Sequence, residues 1–503
     1  MWAVVSAWAG DAIEPGTAAS PHPTFRNLSI EWPFAGDDDG DSAVTARFRG
    51  PDGVWRDAMP LFRVGAGANE GFAWDARHAG SVFELQPDTA YTVELTLTDP
   101  DGGGTTTSLD VHTRRIPEVA ADARRVDVTP ATLDAALGDL RAGDHLVLAA
   151  GTYGSVVVDA DGTEERPIVI EGEPGAAVQG EVRLDGTRDV MVRGLAVDGQ
   201  VKLNGAVRPA VVGCAITASL AEGNGIVAYG DGSTDGWFAD NTISGQTTWR
   251  EAALGVDGDN LGEGIVVTGP GNVIEHNAVH GFRDCVSLLE DGEAVDQVSV
   301  DILWNDLWDC ADDAVEADFA MGNVRVVGNR ATNVFIGLSS QPSLGGPTWF
   351  VRNSLVNVVF QAYKPNRGSV GDVWLHNTVI KPGDAMGVWA GVTWSSALFR
   401  NNLFLGGVGG GEFGGYDIGD GDVLDLPDAD GTCSFDWDGL GSHGTGTFDG
   451  RIGGDRFDSF AALVASGHEA HAVEVSLADF ATIEFPSEPF PGVPFQSPDL
   501  VDG

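Results

Sequence analysis

The chain has 503 residues, with 28 Lys+Arg against 75 Asp+Glu and a formal charge of −47. So acidic a balance argues against nucleic acid and anionic membrane surfaces as partners, and no stretch has the unbroken apolar length of a membrane span. The length exceeds one ordinary core, so two or three units are expected.

Residues 1–22 open on Met1-WAVVSAWAGDA, an apolar start without a basic region, and are expected to be a leader or disordered. Residues 23–115 carry strand-like runs at Thr24–Trp32, Ala43–Arg49, Val54–Leu61, Ser81–Leu85, Tyr91–Thr98 and Thr105–His112. Turn signals at Pro51-Asp52-Gly53 and Asp99-PDGGG separate them, which predicts an antiparallel sandwich. The run Leu85-QPDTA-Tyr91-TVELTLTDPDGG resembles a fibronectin type III domain, whose tyrosine corner and buried tryptophan would be Tyr91 and Trp32. Such modules act as spacers or docking surfaces.

Residues 116–127 read as a linker. Thr129 then offers an N-cap with Pro130 at the first helical position, and Leu133, Leu137 and Leu140 share one apolar face. This predicts a helix over 129–141, ended by Gly143-Asp144 and followed by a strand from Leu146 and a turn at Gly151-Thr152-Tyr153. A helix followed by G-D-x-L-x-L-x-x-G-x-Y resembles the N-terminal cap of right-handed parallel β-helix proteins of the pectate lyase superfamily. Such a cap covers a sheet edge that would otherwise pair with another chain. Arg166-PIVIEGEPG, Val190-MVRGLAVDG and Val211-VGCAITAS are similar to the coils that follow.

The strongest signal lies between Asp301 and Leu405. Asn305, Asn329, Asn353, Asn377 and Asn401 stand 24 residues apart. Two apolar columns keep the same step: Ile302, Val326, Phe350, Trp374, Leu398 and Leu307, Ala331, Leu355, Val379, Leu403. A third, Trp304, Gly328, Arg352, His376 and Arg400, tolerates charge and should face outward. A fixed period with apolar residues in register means stacked coils, here of about 24 residues, with the asparagines as a scaffold amide ladder inside a turn. A mainly β chain follows, a parallel β-helix over 128–410 with a C-terminal capping region over 411–503. In that region Phe457-DSFAALVAS reads as an amphipathic helix. Gly467-HEAHAVEVSLADF and Pro498-Asp499-Leu500 resemble the tails of secreted β-helix proteins, with His471 a structural hydrogen-bonding residue.

Cys214, Cys285, Cys310 and Cys433 show no metal spacing, and the offsets of Cys285 and Cys310 from Asn277 and Asn305 argue against an easy bridge. The redox compartment stays undecided. Acid is dispersed among 70 glycines, as in Asp37-DDGD and the turns near Gly419, which suits solubility in a salty medium or calcium binding at a few turns.

Chemistry concentrates at Gly281-FRDCVSLLED and Asp309-CADDAVEAD. Asp284 and Asp312 share an offset from the ladder asparagines, with Asp313, Glu316 and Asp318 close behind. Stepping by 24 from Glu316 reaches Ser340 and then Lys364, a column spanning about 10 Å over three coils. Arg367 lies just beyond, with Gln341, Trp389 and Arg283 flanking as substrate contacts. Like charges at stacking distance repel unless a cation neutralises them; otherwise some of these are solvated turn residues. Val315 and Ala317 point Glu316 outward, whereas Leu288 points the column inward.

Two reactions fit. The resemblance implies a polysaccharide lyase, which needs a cation on the uronate carboxylate and a base for its C5 proton. Lys364 would be the base, with its pKa lowered by burial, Arg367 a substrate or acid group, and Asp284, Asp312, Asp313 and Glu316 the ligands of a calcium ion. An inverting hydrolase needs an acid and a base about 6.5–9.5 Å apart, and Asp312-Asp313 resembles the adjacent aspartates of polygalacturonases. That family's Gly-His-Gly and Arg-x-Lys elements are absent here, and lyase motifs are equally incomplete. A third reading is a non-enzymatic, adhesive surface protein; Trp349, Tyr363, Trp389 and Trp394 as sugar platforms favour carbohydrate work instead. The expectation is an extracellular, monomeric, carbohydrate-active protein, a lyase ahead of a hydrolase, with an outward Lys364 that contributes little to the core.

Overall fold

Alternating apolar residues build the first unit. In Ala90–Thr98 every second side chain is buried, and Leu28–Ala35 and Ala43–Arg49 bury Leu28, Ile30, Trp32, Val44 and Ala46 in the same core. The computed structural model describes residues 10–228, 230–288, 297–443, 448–486 and 488–497. Most of the apolar opening of the expected leader, and Pro498-Asp499-Leu500, lie outside them. The chain divides into two units, Met1–Ile116 with Leu344–Pro347, and Pro117–Ser343 with Thr348–Gly503. In the first, two antiparallel sheets share one core. Its Leu85–Tyr91 corner closes as expected, the Gln86 N–H donating to the Tyr91 hydroxyl at 2.9 Å.

The second unit is mainly parallel. Arg124–Val128 pairs with Asp144–Leu148, and that with Ile168–Gly172, a succession that continues to Ser434–Asp436. A second parallel sheet runs alongside from Gly151–Tyr153 to Val473–Glu474, so pairing carries on well past Gly410. The chain alternates between the two sheets, and each strand lies beside its equivalent one coil on. Apolar side chains from both fill the space between. The initial helix is shorter than expected, Leu133–Leu137, because the Thr129 and Thr132 hydroxyls and backbone bond one another and hold 129–132 in a turn. Leu133 is buried, and Leu137 and Leu140 pack on the same core.

The amide ladder forms and is longer than the 24-residue repeat. It runs Asn241, Asn277, Asn305, Asn329, Asn353, Asn377, Asn402 and ends on Asp438. From Asn277 on, each asparagine carboxamide oxygen accepts from the backbone and side chain of the rung before, while Asn241 Oδ1 accepts from the Cys214 N–H. Each Nδ2 also donates to a carbonyl of the coil before, as Asn329 does to Ile302. The residue ahead of each rung turns the corner with positive φ: Asp240, His276, Trp304, Gly328, Arg352, His376, Asn401 and Trp437. Asn401 is therefore a corner residue and Asn402 the rung, a correction to the expected column. The last coil carries one extra residue, so Trp374 stacks on Phe399 and Val379 on Phe404, in place of Leu398 and Leu403. Ile302, Val326 and Phe350 stack as expected.

Cys285 and Cys310 are bridged, against the sequence expectation. Phe282 is the strand partner of Cys310, yet the chain bends at Arg283 and the register shifts after Cys310, and both cysteines are buried in the core, where offsets counted along the chain no longer measure separation. Near the other end, the helix Phe460–Ser466 is capped by Ser459 and stopped by Gly467 at φ +94°. His471 hydrogen-bonds Asp436 and stacks on Trp437 at 4.2 Å, the structural role expected of it.

Candidate functional site

The long strand Asp306–Glu316 creates the site by breaking the repeat. It keeps the 24-residue register to Cys310, opposite Val334, then shifts, so that Asp313 faces Ile336 and Glu316 faces Ser339. The next coil restores the count by pairing Ser339 with Lys364. Lys364 thus lies two coils from Glu316, as the spacing predicts, but Ser339 and not Ser340 stands between them. The one-residue shift reverses which side chains face the core: Val315 and Ala317 are inside and Glu316 points away from them. Ser340 instead turns inward, where its hydroxyl donates to Asp372 at 2.9 Å beside Ser369. It is not a substrate contact.

Lys364 is 7 % exposed. Its ammonium donates to Asp313 Oδ2 at 2.6 Å and lies 3.6 Å from Glu316 Oε1. The expected outward lysine is corrected to a buried cation, because the surrounding carboxylates draw it in. Asp284 Oδ1 accepts the Asp313 N–H at 2.8 Å and its Oδ2 accepts Arg283 Nε at 2.8 Å. Arg283 also reaches Glu263 Oε1 at 3.1 Å. The Ser287 hydroxyl donates to Glu316 Oε2, and Asp318 accepts from Ser339 and from the backbone and side chain of Gln341.

Two sets of carboxylate oxygens converge to within 4.8 Å of one another, Glu263, Asp284, Glu316 and Asp284, Asp312, Asp313. Asp313 Oδ1 and Glu263 Oε2 are buried with no hydrogen-bond partner. An all-oxygen set of this kind suits a hard cation such as Ca2+, and orphaned buried carboxylate oxygens are what such an ion would satisfy. Asp37, Asp39, Asp41 and Asp41, Asp99, Asp101 also converge, in the first unit, though none of their carboxylates is both buried and orphaned.

The electrostatics follow from crowding. Burial, and then the charges of their neighbours, push Asp284 well above the ordinary carboxylate range; burial does the same for Asp313 despite the opposing pull of Lys364. Glu263 is raised to about 8 and Asp318 to about 7, again by burial first and Glu316 next. Burial pulls Lys364 down, but Asp313, Asp318, Glu316 and Asp312 together outweigh it and hold the ammonium well above its usual value. That overturns a lysine whose pKa is lowered by burial alone.

Of the expected contacts, Asp284, Asp312, Asp313, Glu316, Lys364 and Arg283 come together and Gln341 joins through Asp318. Arg367 is exposed, its guanidinium over the Phe319 ring at 5.6 Å. Trp389 lines a separate cavity with Asp384 and Tyr416. Trp349, Tyr363 and Trp394 are core residues, not platforms. Glu263 escaped notice because the coil between Asn241 and Asn277 is long. Aligning Ile265-Val266 with Val286-Ser287, as the strands do, places it beside Asp284. Next to Arg283 a cavity of about 440 Å3 opens, lined also by Asn224, Asn260 and Glu263.

Residues 128–211 match the Chondroitinase B family model, a family of β-helix polysaccharide lyases. The match supports a β-helix lyase-like fold over these first coils, which lie ahead of every residue of the carboxylate cluster. No curated protein matches the chain.

Proposed function

We propose that the second unit is a right-handed parallel β-helix polysaccharide lyase that cleaves an acidic polysaccharide by β-elimination at the Lys364 cluster. The observation that carries this is the buried Lys364 ammonium, 2.6 Å from Asp313, inside a ring of carboxylates with two orphaned oxygens. Glu263, Asp284, Asp312, Asp313 and Glu316 would hold a calcium ion. Bound there, Ca2+ supplies the positive charge that neutralises a uronate carboxylate and acidifies the proton beside it.

Lys364 is the base. While Asp313 and its neighbours remain uncompensated, they keep the ammonium protonated; with their charge offset, burial dominates and favours the neutral amine. The amine takes the C5 proton, the C5–H electron pair becomes the C4–C5 double bond, and the C4–O4 bond breaks with its pair leaving on oxygen. Water protonates that oxygen. The cavity beside Arg283 receives the sugar, with Asn224 and Asn260 as hydrogen-bond partners for hydroxyls and Arg283 as a positive charge. The first unit serves as a fibronectin type III-like spacer, and the Cys285–Cys310 bridge supports an oxidising, extracellular setting.

The test is a panel of acidic polysaccharides, with calcium and with chelator. A calcium-dependent rise in ultraviolet absorbance from unsaturated uronate is expected on at least one. New reducing ends without that absorbance would replace elimination with hydrolysis by Asp312 and Asp313, and silence on every glycan would leave the adhesive reading.

A further inference from the structure

The second unit holds another cavity, of about 430 Å3, lined by three aromatic rings, Phe360, Trp389 and Tyr416, and by five aspartates that include Asp384, Asp420 and Asp422. Its rings are fixed. Trp389 stacks on Phe360 at 5.4 Å between centroids, its indole N–H donates to Asp425 Oδ2 at 3.0 Å, and Phe360 tilts against Tyr416 at 5.2 Å. Half-buried, and held through its backbone N–H by Gln361 and its indole N–H by Asp425, Trp389 is a platform whose ordering cost is met in the free protein.

The acidic wall is also built. Asp384 Oδ1 accepts the backbone N–H groups of Gly421 and Asp422 at 2.9 and 2.8 Å. Gly419, at φ +89°, admits the Asp384 carboxylate where a Cβ would lie 2.1 Å from its Oδ2. Of the nearby cations, Arg451 pairs with Asp425 in the wall itself, and the Lys381 ammonium donates to the carbonyls of Pro382 and Asp384 and offsets part of the Asp384 charge, which leaves Asp420 and Asp422 as the open part of the wall. Burial first, and then the like charges of Asp449, Asp425 and Asp420, raise Asp422 to about 6 against a smaller opposing pull from Arg456. Among the described residues these aspartates do not converge on one point as Glu263, Asp284 and Glu316 do. The space is shaped for a ring, not a bare ion.

We propose that this cavity binds a protonated amino sugar, its ring face on Trp389 and its ammonium among Asp384, Asp420 and Asp422. Aromatic faces and carboxylates both favour a cation, whereas a uronate would meet repulsion from Asp420 and Asp422. The proposal therefore stands apart from the elimination chemistry at Lys364 and goes beyond it.

Calorimetric titration of the full chain with a glucosamine oligomer, its fully N-acetylated counterpart and an oligoglucuronate tests it. The glucosamine oligomer should bind, acetylation should weaken it by about tenfold or more, and the glucuronate should not bind. Asp420→Asn, at an exposed position, should weaken glucosamine binding several-fold, and added salt should weaken it further. Trp389→Ala should abolish it while Trp389→Phe keeps most of it. Equal or tighter binding of the acetylated oligomer, unaltered binding in Asp420→Asn, or a cavity that takes Ca2+ but no glucosamine would each overturn the proposal. Loss of elimination activity on the polysaccharide panel would leave it standing.

Discussion

Two edges of the same coils obey opposite rules. Along the ladder's asparagines each carboxamide meets its partners on the adjacent coils, and the unpartnered oxygen is left to the terminal Asp438: Asn329 gives both Nδ2 protons, to Ile302 O and Asn353 Oδ1, and accepts twice from Asn305. At the Lys364 edge the register shifts between Cys310 and Asp313 and like charges crowd. Two carboxylate oxygens there have no partner. A saturated column needs nothing from outside and reads as scaffold. An unsaturated one, kept folded by the saturated one beside it, is poised to take a ligand.

The largest effect should come from removing the cation. Lys364→Ala leaves Asp313 buried beside Glu316 and Asp318 with nothing to offset them. Breaking a buried pair costs about 3–5 kcal/mol, so a lower melting temperature is expected together with complete loss of elimination activity. Added calcium should restore stability but not activity, since the ion replaces the charge and not the base. A variant that stays fully active would remove Lys364 from the chemistry. Asn329→Ala should act the other way round. Four ladder hydrogen bonds go, and the buried groups left behind cost about 1–3 kcal/mol, measurable by denaturant unfolding, while activity at a permissive temperature persists.

This contrast also explains what the sequence made legible. Stacking follows from period, and the period is printed in Asn305, Asn329, Asn353 and Asn377 and in the apolar columns beside them. The carboxylates were equally visible as residue types near Asp312. Their partners were not, because they depend on where the period fails. One residue lost after Cys310 and regained before Lys364 exchanges Ser340 for Ser339. The bend after Phe282 brings Cys285 to Cys310, and a long coil hides Glu263. An extra residue in the last regular coil moves the ladder from Asn401 to Asn402. The sequence leaves Lys364 outward in its column yet in need of burial to act as a base, and it is the neighbouring charges, which no count along the chain shows, that draw it in.

Acidity offers a second way to set the two edges apart. The ladder ends on Asp438, whose Oδ1 accepts from Asn402, and Asp438 lies against Glu469. Burial raises Asp438 to about 6; burial and then Asp438 raise Glu469 to about 9. Carboxyls whose folded values lie above their unfolded ones stabilise the fold fully below about pH 4, the unfolded range. That contribution is lost as pH rises through about 6 and then about 9. Asp318 and Glu263, at about 7 and about 8, lose theirs in the same window. Thermal unfolding from pH 5 to 10 should therefore show falling stability. Calcium should cancel the share due to the Lys364 cluster, and Glu469→Gln the share due to the ladder's end. If calcium alone flattens the profile, the carboxyl pair at Asp438 contributes nothing to it.

The smallest effect is the sharpest test of the register. Asn401 continues the 24-residue count but sits at the exposed corner with φ +58°. Asn402 breaks the count, yet its Nδ2 donates to Asp438 and Trp374 O, and its Oδ1 accepts twice from Asn377. If the ladder is what holds the corner, position in space must matter and position in the count must not. Asn401→Gly removes no ladder bond and puts a residue without a Cβ where φ is positive, so it should change stability by less than about 1 kcal/mol. Asn402→Ala should cost about as much as Asn329→Ala, because it too leaves buried donors and acceptors unpaired. The pair is best measured side by side in denaturant, where a change in midpoint without a change in slope reports stability alone. A large loss for Asn401→Gly with a small one for Asn402→Ala would return the rung to the strict repeat and reverse the register drawn for the last coil.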